Sequence, residues 1–256
     1  MIKRNTQERR REIIELLNQN GEVSVDVLAH QFATSEVTVR KDLTALENSG
    51  LLLRKYGGAV PLPREYANIG NVEQISKRKV ALAKAAVSLV RDHNRIIIDS
   101  GHTTAALVPE LEGRQGLVVM CNCLDIAHAV TELESEPKLL MTGGTWDAQS
   151  ESFQGQLSEQ MLRAYDFDQL FVGADGLDVQ RGTTTYNELY SLSRVMAEVA
   201  REVIVMAESE KIHRKIHNLE LAWSHVDVLV TDDGLPDDAR KLIQNQGVKV
   251  IRAKTS

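Results

Sequence analysis

The chain has 256 residues, 43% of them hydrophobic, and a formal net charge of −6. That length accommodates two domains and a sizeable core, and that apolar fraction excludes a disordered chain. The longest apolar runs fall far below the ~18 residues of a membrane span, and the first twenty residues are charged and amphipathic rather than leader-like; both predict a cytoplasmic protein with no membrane partner.

Apolar residues at Ile13, Ile14, Leu16 and Leu17 predict a first helix over 9–18, which Gly21 ends. Val25, Leu28 and Phe32 give a second short helix over 24–32, and Ala33-Thr34 makes a tight connection. The segment SEVTVRKDL, Ser35 to Leu43, then opens a third helix. Val39, Leu43 and Leu46 fall at i, i+4 and i+7 on one apolar face. At about 100° per residue, Val37, Thr38 and Lys41 point the opposite way, with Arg40 on the flank. Ser35 is the predicted cap and Gly50 the stop. The run LLLRKYGGAV reads as a small β-wing that carries Arg54, Lys55 and Tyr56 and turns at Gly57-Gly58.

Three short helices and a wing, with cations on the third helix and on the wing, describe a winged helix-turn-helix that places its third helix in a DNA major groove. The predicted contacts are Ser35, Glu36, Thr38, Arg40, Lys41, Arg54, Lys55 and Tyr56. The bland alternative is a solvated face in which Arg40 and Lys41 pair with Asp42 or Glu47. Residues 1–60 carry +1 and the remainder −7, so affinity for DNA at large is modest and local placement of cations must decide binding. One winged helix offers few contacts, which predicts a homo-oligomer, a dimer or tetramer, on half-sites of double-stranded operator DNA.

Pro61 and Pro63 follow the wing, and residues 61–75 have no clear periodicity; they read as a linker. From 76 to 256 buried strands alternate with helices: helix 77–90, strand 95–99, a glycine loop at 100–104 opening a helix to about 111, strand 117–122, helix 124–133, strand 138–144, helix 156–165, strand 168–176, helix 188–200, strand 202–207, strand 226–233, helix 236–245 and strand 248–253. That alternation predicts a mostly parallel α/β sheet covered on both faces, with a ligand beyond the carboxyl ends of the strands. Polar residues gather at those ends: Asp99, Ser100, Gly101, His102, Thr103 and Thr104; Asn122; Gly143 and Gly144; Asp175; Asn187 and Glu188; and Lys211. Backbone N–H groups at a helix start, with Ser and Thr hydroxyls nearby, suit an anion. Taken singly, each is as readily a turn former. Cys121 and Cys123 sit badly for a mutual disulfide and have no second pair for a zinc framework; no metal and no cofactor is predicted.

The first fifty-odd residues resemble the DNA-binding domain of DeoR-family bacterial repressors. The arginine-led first helix, the segment Ser35-x-x-Thr38-Val39-Arg40-x-Asp42-Leu43 and the GGA end of the wing carry the resemblance, with Tyr56 where many members have His. Residues 76–252, through DSGHTT, MTGG, FVGADGLD, GTTTYNE and AESEKI, look like the DeoR sensor domain, similar in fold to ribose-5-phosphate isomerase, glucosamine-6-phosphate deaminase and CoA-transferase domains. The resemblance implies a phosphorylated sugar or sugar alcohol as effector. Its phosphate would sit at the SGHTT loop, and Asp99, Asp175, Glu188 and Lys211 would meet its hydroxyls or ring end; His102 stands where members often carry a small residue or Thr. The chain then reads as a repressor of a carbohydrate catabolic operon, released by that effector. The alternative is a sugar-phosphate isomerase or deaminase in which Glu188 or Asp175 acts as base and Lys211 polarises a carbonyl, a reading that leaves the N-terminal domain without a purpose. A protein–protein module built on the winged helix is weaker still, because Arg40, Lys41 and Arg54 suit phosphates.

Overall fold

The computed structural model describes residues 6–47, 52–55, 57–61, 77–148, 150–187, 191–214, 216 and 218–255. The chain divides into two compact units, Met1–Gln74 and Ile75–Ser256.

The first unit runs α1 (Thr6–Asn20), β1 (Val23–Ser24), α2 (Val25–Gln31), α3 (Glu36–Glu47), β2 (Leu52–Lys55) and β3 (Gly58–Pro61). Its core is Ile13, Leu17, Leu28, Phe32, Val39, Leu43, Leu46 and Leu52, so the apolar stripes of all three helices meet. Ala33, in the α2–α3 turn, has φ 46°, a left-handed conformation that an L side chain adopts at a cost of about 1–2 kcal/mol. The three strands pair antiparallel in the order β1-β3-β2. Pro61 pairs with Leu52, so the strand absorbs the first residue assigned to the linker; residues 62–75, Gly50 and Tyr56 lie outside the described residues. A Cβ on Gly58 would stand 2.1 Å from the Val23 carbonyl oxygen, which explains one of the two wing glycines by close backbone approach.

The second unit holds α4 (Lys77–Val87), β4 (Arg95–Ile98), α5 (His102–Ala105), α6 (Leu107–Glu110), β5 (Val118–Cys121), α7 (Leu124–Thr131), β6 (Lys138–Met141), β7 (Thr145–Asp147), β8 (Ser152–Gln154), α8 (Gln156–Arg163), β9 (Phe167–Val172), β10 (Gly176–Asp178), β11 (Gly182–Thr185), α9 (Ser191–Val199), β12 (Ala200–Met206), β13 (Asn218–Ala222), β14 (Val228–Asp232), α10 (Asp237–Gln244) and β15 (Lys249–Ala253). Seven strands form one wholly parallel sheet in the order β15-β14-β12-β9-β4-β5-β6. Successive residues of each strand feed opposite faces. Ile96, Ile98, Phe171, Ile204 and Val230 join α4, α6 and α7 in one core. Ile97, Leu170, Val172, Val205 and Leu229 join α8, α9 and α10 in the other. This doubly covered geometry is why the strands read as unbroken apolar runs.

Four features depart from the sequence reading. An antiparallel hairpin, β7–β8, follows the edge strand β6. A separate antiparallel sheet, β10-β11-β13, carries residues 176–178, 182–185 and 218–222. The helix expected over 100–111 is two single turns, α5 and α6. Cys123 lies beyond its strand, at the N-cap of α7; both cysteines are free and buried, and burial pushes the Cys121 thiol up to about 12.

A candidate DNA-reading face and a candidate effector site

In α3 the capping is as the sequence suggests: the Thr38 N–H donates to Ser35 Oγ at 3.2 Å, and the two hydroxyls lie 2.9 Å apart. Ser35 is thereby spent on the helix start. Arg40 Nη2 donates to Glu36 Oε2 at 2.5 Å across an exposed i,i+4 pair. Lys41 is exposed and forms no ion pair with any described residue. Val37 is 59% exposed on the same face.

Neither Arg40 nor Lys41 takes the partner that the bland reading offered. Asp42 is 2% exposed and accepts Arg9 Nε at 2.6 Å and Arg10 Nε at 2.9 Å. The arginines of the first helix therefore clamp the buried side of the third. On β2, the Arg54 N–H donates to Glu47 Oε1 and its Nη1 to Thr44 Oγ1, at 2.9 and 2.8 Å; Lys55 Nζ pairs with Glu22. These wing cations are held in place by neighbours, and exposed pairs of this kind exchange readily for phosphate because each is worth only ~0–1 kcal/mol.

In the second unit the strand order reverses between β4 and β9: successive connections run outward through β5 and β6 on one side and through β12, β14 and β15 on the other. The carboxyl ends of adjacent strands at such a reversal diverge and leave a crevice. Asp99 follows β4, and Asp175 follows β9 by three residues; the Asp99 N–H donates to Phe171 O at 3.0 Å. Asn122, fully buried, accepts the Ser100 N–H on Oδ1 at 2.9 Å and donates from Nδ2 to Asp99 Oδ1 at 2.8 Å. Asn122 thereby orients Asp99 and the loop.

The loop itself is built by Thr104, whose hydroxyl lies 2.7 Å from Asp99 O and 2.8 Å from Gly101 O. Thr104 is fully buried and Thr103 nearly so. The Thr104 hydroxyl proton is directed at the loop's own carbonyls. The first backbone hydrogen bond of the turn runs from the Ala105 N–H to Gly101 O, so the N–H groups of His102, Thr103 and Thr104 precede it and face outward along the helix axis. Gly101 has φ 135°, open to glycine, and His102 is exposed.

Asp175 Oδ2 accepts Thr185 Oγ1 at 2.8 Å and the Tyr186 N–H at 3.1 Å. Lys211, 4% exposed, donates from Nζ to Ala174 O at 2.8 Å, beside Asp175. Arg214 Nη1 donates to Asp175 O at 3.1 Å. Asn187 is half-buried beside them, its N–H on Thr185 Oγ1 at 3.0 Å. Glu188 lies outside the described residues. The sequence reading missed Glu220, on β13, whose Oε2 accepts Thr183 Oγ1 at 3.2 Å. Its carboxyl is pushed up to about 8, first by burial and then by the charges of Asp99 and Asp175. Asp99 is raised to about 6 by burial, opposed by Asn122 and the Ser100 N–H. One carboxyl that keeps its proton near neutrality beside Asp99, which is raised only to about 6, offers both a hydrogen-bond donor and an acceptor. Only the strand alternation of NLELA, with Glu between two inward leucines, hinted at Glu220.

Gly144 is explained by packing and Gly143 by its left-handed φ of 61°. A Cβ on Gly144 would stand 2.1 Å from Ser158 Oγ, and the Gly143 carbonyl accepts that hydroxyl at 2.5 Å. They seat hairpin β7–β8 on α8 beyond the edge strand β6, two strands from β4. Among the described residues no group of three or more His, Cys, Asp or Glu side chains is placed to hold a metal ion, and no helix is long and apolar enough to cross a membrane.

Comparison with known proteins agrees with this division. Residues 9–64 match the DeoR-like helix-turn-helix domain and residues 74–233 the DeoR C terminal sensor domain. The chain is 38% identical to a protein of Escherichia coli O157:H7 that bears the name aga operon transcriptional repressor, over 96% of this chain and 93% of that one. It is 30% identical to the transcriptional repressor AccR of Agrobacterium fabrum, over 94% of this chain and 98% of that one. Among solved structures, ribose 5-phosphate isomerase A from Methanocaldococcus jannaschii overlaps 54% of each chain at 21% identity and a TM-score of 0.40. The chain belongs to the DeoR family of transcriptional regulators.

Proposed function

We infer that this protein is a sequence-specific DNA-binding repressor of a carbohydrate catabolic operon, working in the cytoplasm and released from its operator by a phosphorylated sugar. The observation that carries this reading is the joining in one chain of a cation-bearing third helix and a polar crevice at the strand-order reversal of a parallel sheet, in a family of regulators.

On DNA, Arg40, Lys41 and Val37 meet base edges, with Thr38 and Glu36 beside them. Arg54, Lys55 and Tyr56 meet backbone from the wing, and Ser35 holds the helix start. Arg40 leaves Glu36 to do this, at the small cost of an exposed pair. Two or more copies share the operator, because residues 1–60, of charge +1, gather too little phosphate contact alone.

In the sensor, the effector phosphate lies against the N–H groups of Gly101 to Thr104, and Lys211 supplies the full positive charge. Asp99, Asp175, Glu220 and Glu188 take the hydroxyls. Asn122 and Thr104 shape the loop, and His102 stays in solvent. Release follows if the effector binds the off-operator arrangement more tightly; a coupling of 1–3 kcal/mol changes operator affinity about 5–150-fold. The test is fluorescence anisotropy on DNA upstream of the operon beside the gene. A folded Arg40→Ala/Lys41→Ala variant that binds as tightly as the wild type removes the DNA-reading assignment.

A further inference from the structure

The sensor unit carries its charge unevenly. Its first helix, α4, opens with Lys77, Arg78 and Lys79 and has no acid in its first turn. Cations there oppose the helix macrodipole, so helix stability does not account for them. Arg78 has a partner in Glu210 at 3.4 Å, and Lys79 is buried and partnered. Lys77 and Lys84 are exposed and form no ion pair with any described residue. They fall at i and i+7, on the face that Ala81 and Ala85 share.

Beside that face runs the chain after β15. A shallow groove is lined by Lys77, Ala81, Lys84 and Ala85 from α4 and by Lys254 and Thr255 from the tail. Lys254 is exposed and likewise forms no ion pair with any described residue. Two acidic side chains lie nearby: Asp233 accepts the Thr255 hydroxyl at 2.8 Å, at the tail end of the groove, and Asp237 pairs with Arg252 at 2.9 Å. Three exposed lysines thus line one small-residue groove, with the Asp233 carboxylate at its Thr255 end, on a unit whose net charge is −6.

We propose that this groove is a second DNA contact, in which Lys77, Lys84 and Lys254 grip the phosphate backbone outside the footprint of the winged helix. The spacing fits: Lys77 and Lys84 are about 10 Å apart along the helix axis at 1.5 Å per residue, and a DNA strand advances ~3.4 Å of axis per phosphate. The groove's small apolar floor admits the backbone without a steric ridge. A second copy of the chain is the weaker occupant: an isologous contact would set lysines against lysines, and a heterologous one leads to rings or open filaments rather than a closed dimer.

This inference rests on the DNA-binding reading above, and its test separates the two. The full chain and a Lys77→Gln/Lys84→Gln/Lys254→Gln variant are titrated against a long mixed-sequence duplex and a duplex carrying the operator, over a range of salt. All three sites are exposed, and unchanged melting verifies folding. The expected result is a shallower plot of log affinity against log salt on both duplexes, by about 0.9 for each phosphate that is no longer gripped. The ratio of the two affinities stays the same. A slope equal to the wild type's overturns the groove while leaving the winged helix intact. A slope that changes only because the variant sediments as a smaller species makes the groove a contact between copies and also overturns the proposal. Absence of binding by the wild type to either duplex sinks the DNA-binding reading itself.

Discussion

Replacing Asp42 by Ala tests the architecture of the DNA-reading unit most sharply. Asp42 is on the recognition helix but faces inward, 2% exposed, so it has no role in contacting bases. Its carboxylate holds Arg9, whose side chain is 10% exposed, and Arg10, at 36%. Removing the acid strands the Arg9 guanidinium in the core, and breaking a buried pair in this way costs roughly 3–5 kcal/mol. Arg10 reaches water, and its share shrinks to the ~0–1 kcal/mol of a surface pair. A unit of about 55 residues has ~3–8 kcal/mol of stability to lose at 0.05–0.15 kcal/mol per residue. Asp42→Ala should therefore leave the N-terminal unit marginal or unfolded and abolish operator binding from a residue that never touches DNA. Both tryptophans, Trp146 and Trp223, lie in the sensor unit, so tryptophan fluorescence follows the sensor while helical circular dichroism follows both units. The expected outcome is an early loss of helix signal in urea with an unmoved fluorescence transition. Arg9→Met/Asp42→Leu, which replaces the pair by apolar bulk, should recover most of the loss. A shift below about 0.5 kcal/mol, the range of ordinary surface substitutions, would refute the clamp, as would a double variant no better than Asp42→Ala.

Arg40→Ala should cost about 1–3 kcal/mol of specific binding, as the loss of one bidentate base contact does, while affinity for unrelated duplex falls much less; equal losses on both would assign Arg40 to phosphate instead. Thr104→Ala should blunt effector-driven release without changing effector-free operator affinity, and Thr104→Ser, which keeps the hydroxyl on Asp99 O and Gly101 O, should behave as wild type; failure of Thr104→Ser would transfer the effect to the lost methyl group. Glu220 is held protonated up to about pH 8 in the fold, against an ordinary value of 4.5. Between those values the unfolded chain has released the proton that the folded chain keeps, so sensor stability falls as pH rises, by up to about 1.4 kcal/mol per unit for one proton. Asp99 contributes the same sign only up to about 6, so the slope from pH 6 to 8 belongs mainly to Glu220, and urea titrations of Glu220→Gln should be flat there; parallel slopes for variant and wild type contradict this. Gly144→Ala forces a Cβ against Ser158 Oγ and Gln154 O at 2.1 and 2.6 Å, at φ 110°, and should destabilise the sensor by several times the ~1 kcal/mol typical of a point change; a neutral melt would show that the hairpin has room to move.

Much of this was legible because the signals were local. Val39, Leu43 and Leu46 announce the buried face of α3 within eight residues, and the unbroken apolar runs of β4, β5, β9, β12 and β14 announce strands covered on both faces. What stayed hidden depended on distance. The arginine-led first helix was visible as a family mark, but its partner Asp42 lies 33 positions away from Arg9, and no periodicity connects them. Strands β7, β8, β10 and β11 are only three or four residues long, and β7, β10 and β11 are rich in Gly, Thr and Asp, so no periodicity marks them; only pairing defines them. Glu220 was hidden for the same reason, with the added obstacle that a carboxyl buried at neutral pH violates the usual preference of acids for water. Asn122, Thr104 and Gly144 were picked out as polar or glycine residues at strand ends, which they are. Their physical work is to shape the loops, and that distinction rests on which of their atoms are already satisfied.

That a phosphate held at residues 101–104 governs release of the operator is tested most directly by following operator dissociation against concentration for a panel of sugars, each presented with and without its phosphate. A phosphorylated sugar is expected to release the DNA, and the corresponding free sugar is expected not to. Equal potency of the two forms would contradict the phosphate assignment and leave the SGHTT segment as a strand-to-helix turn.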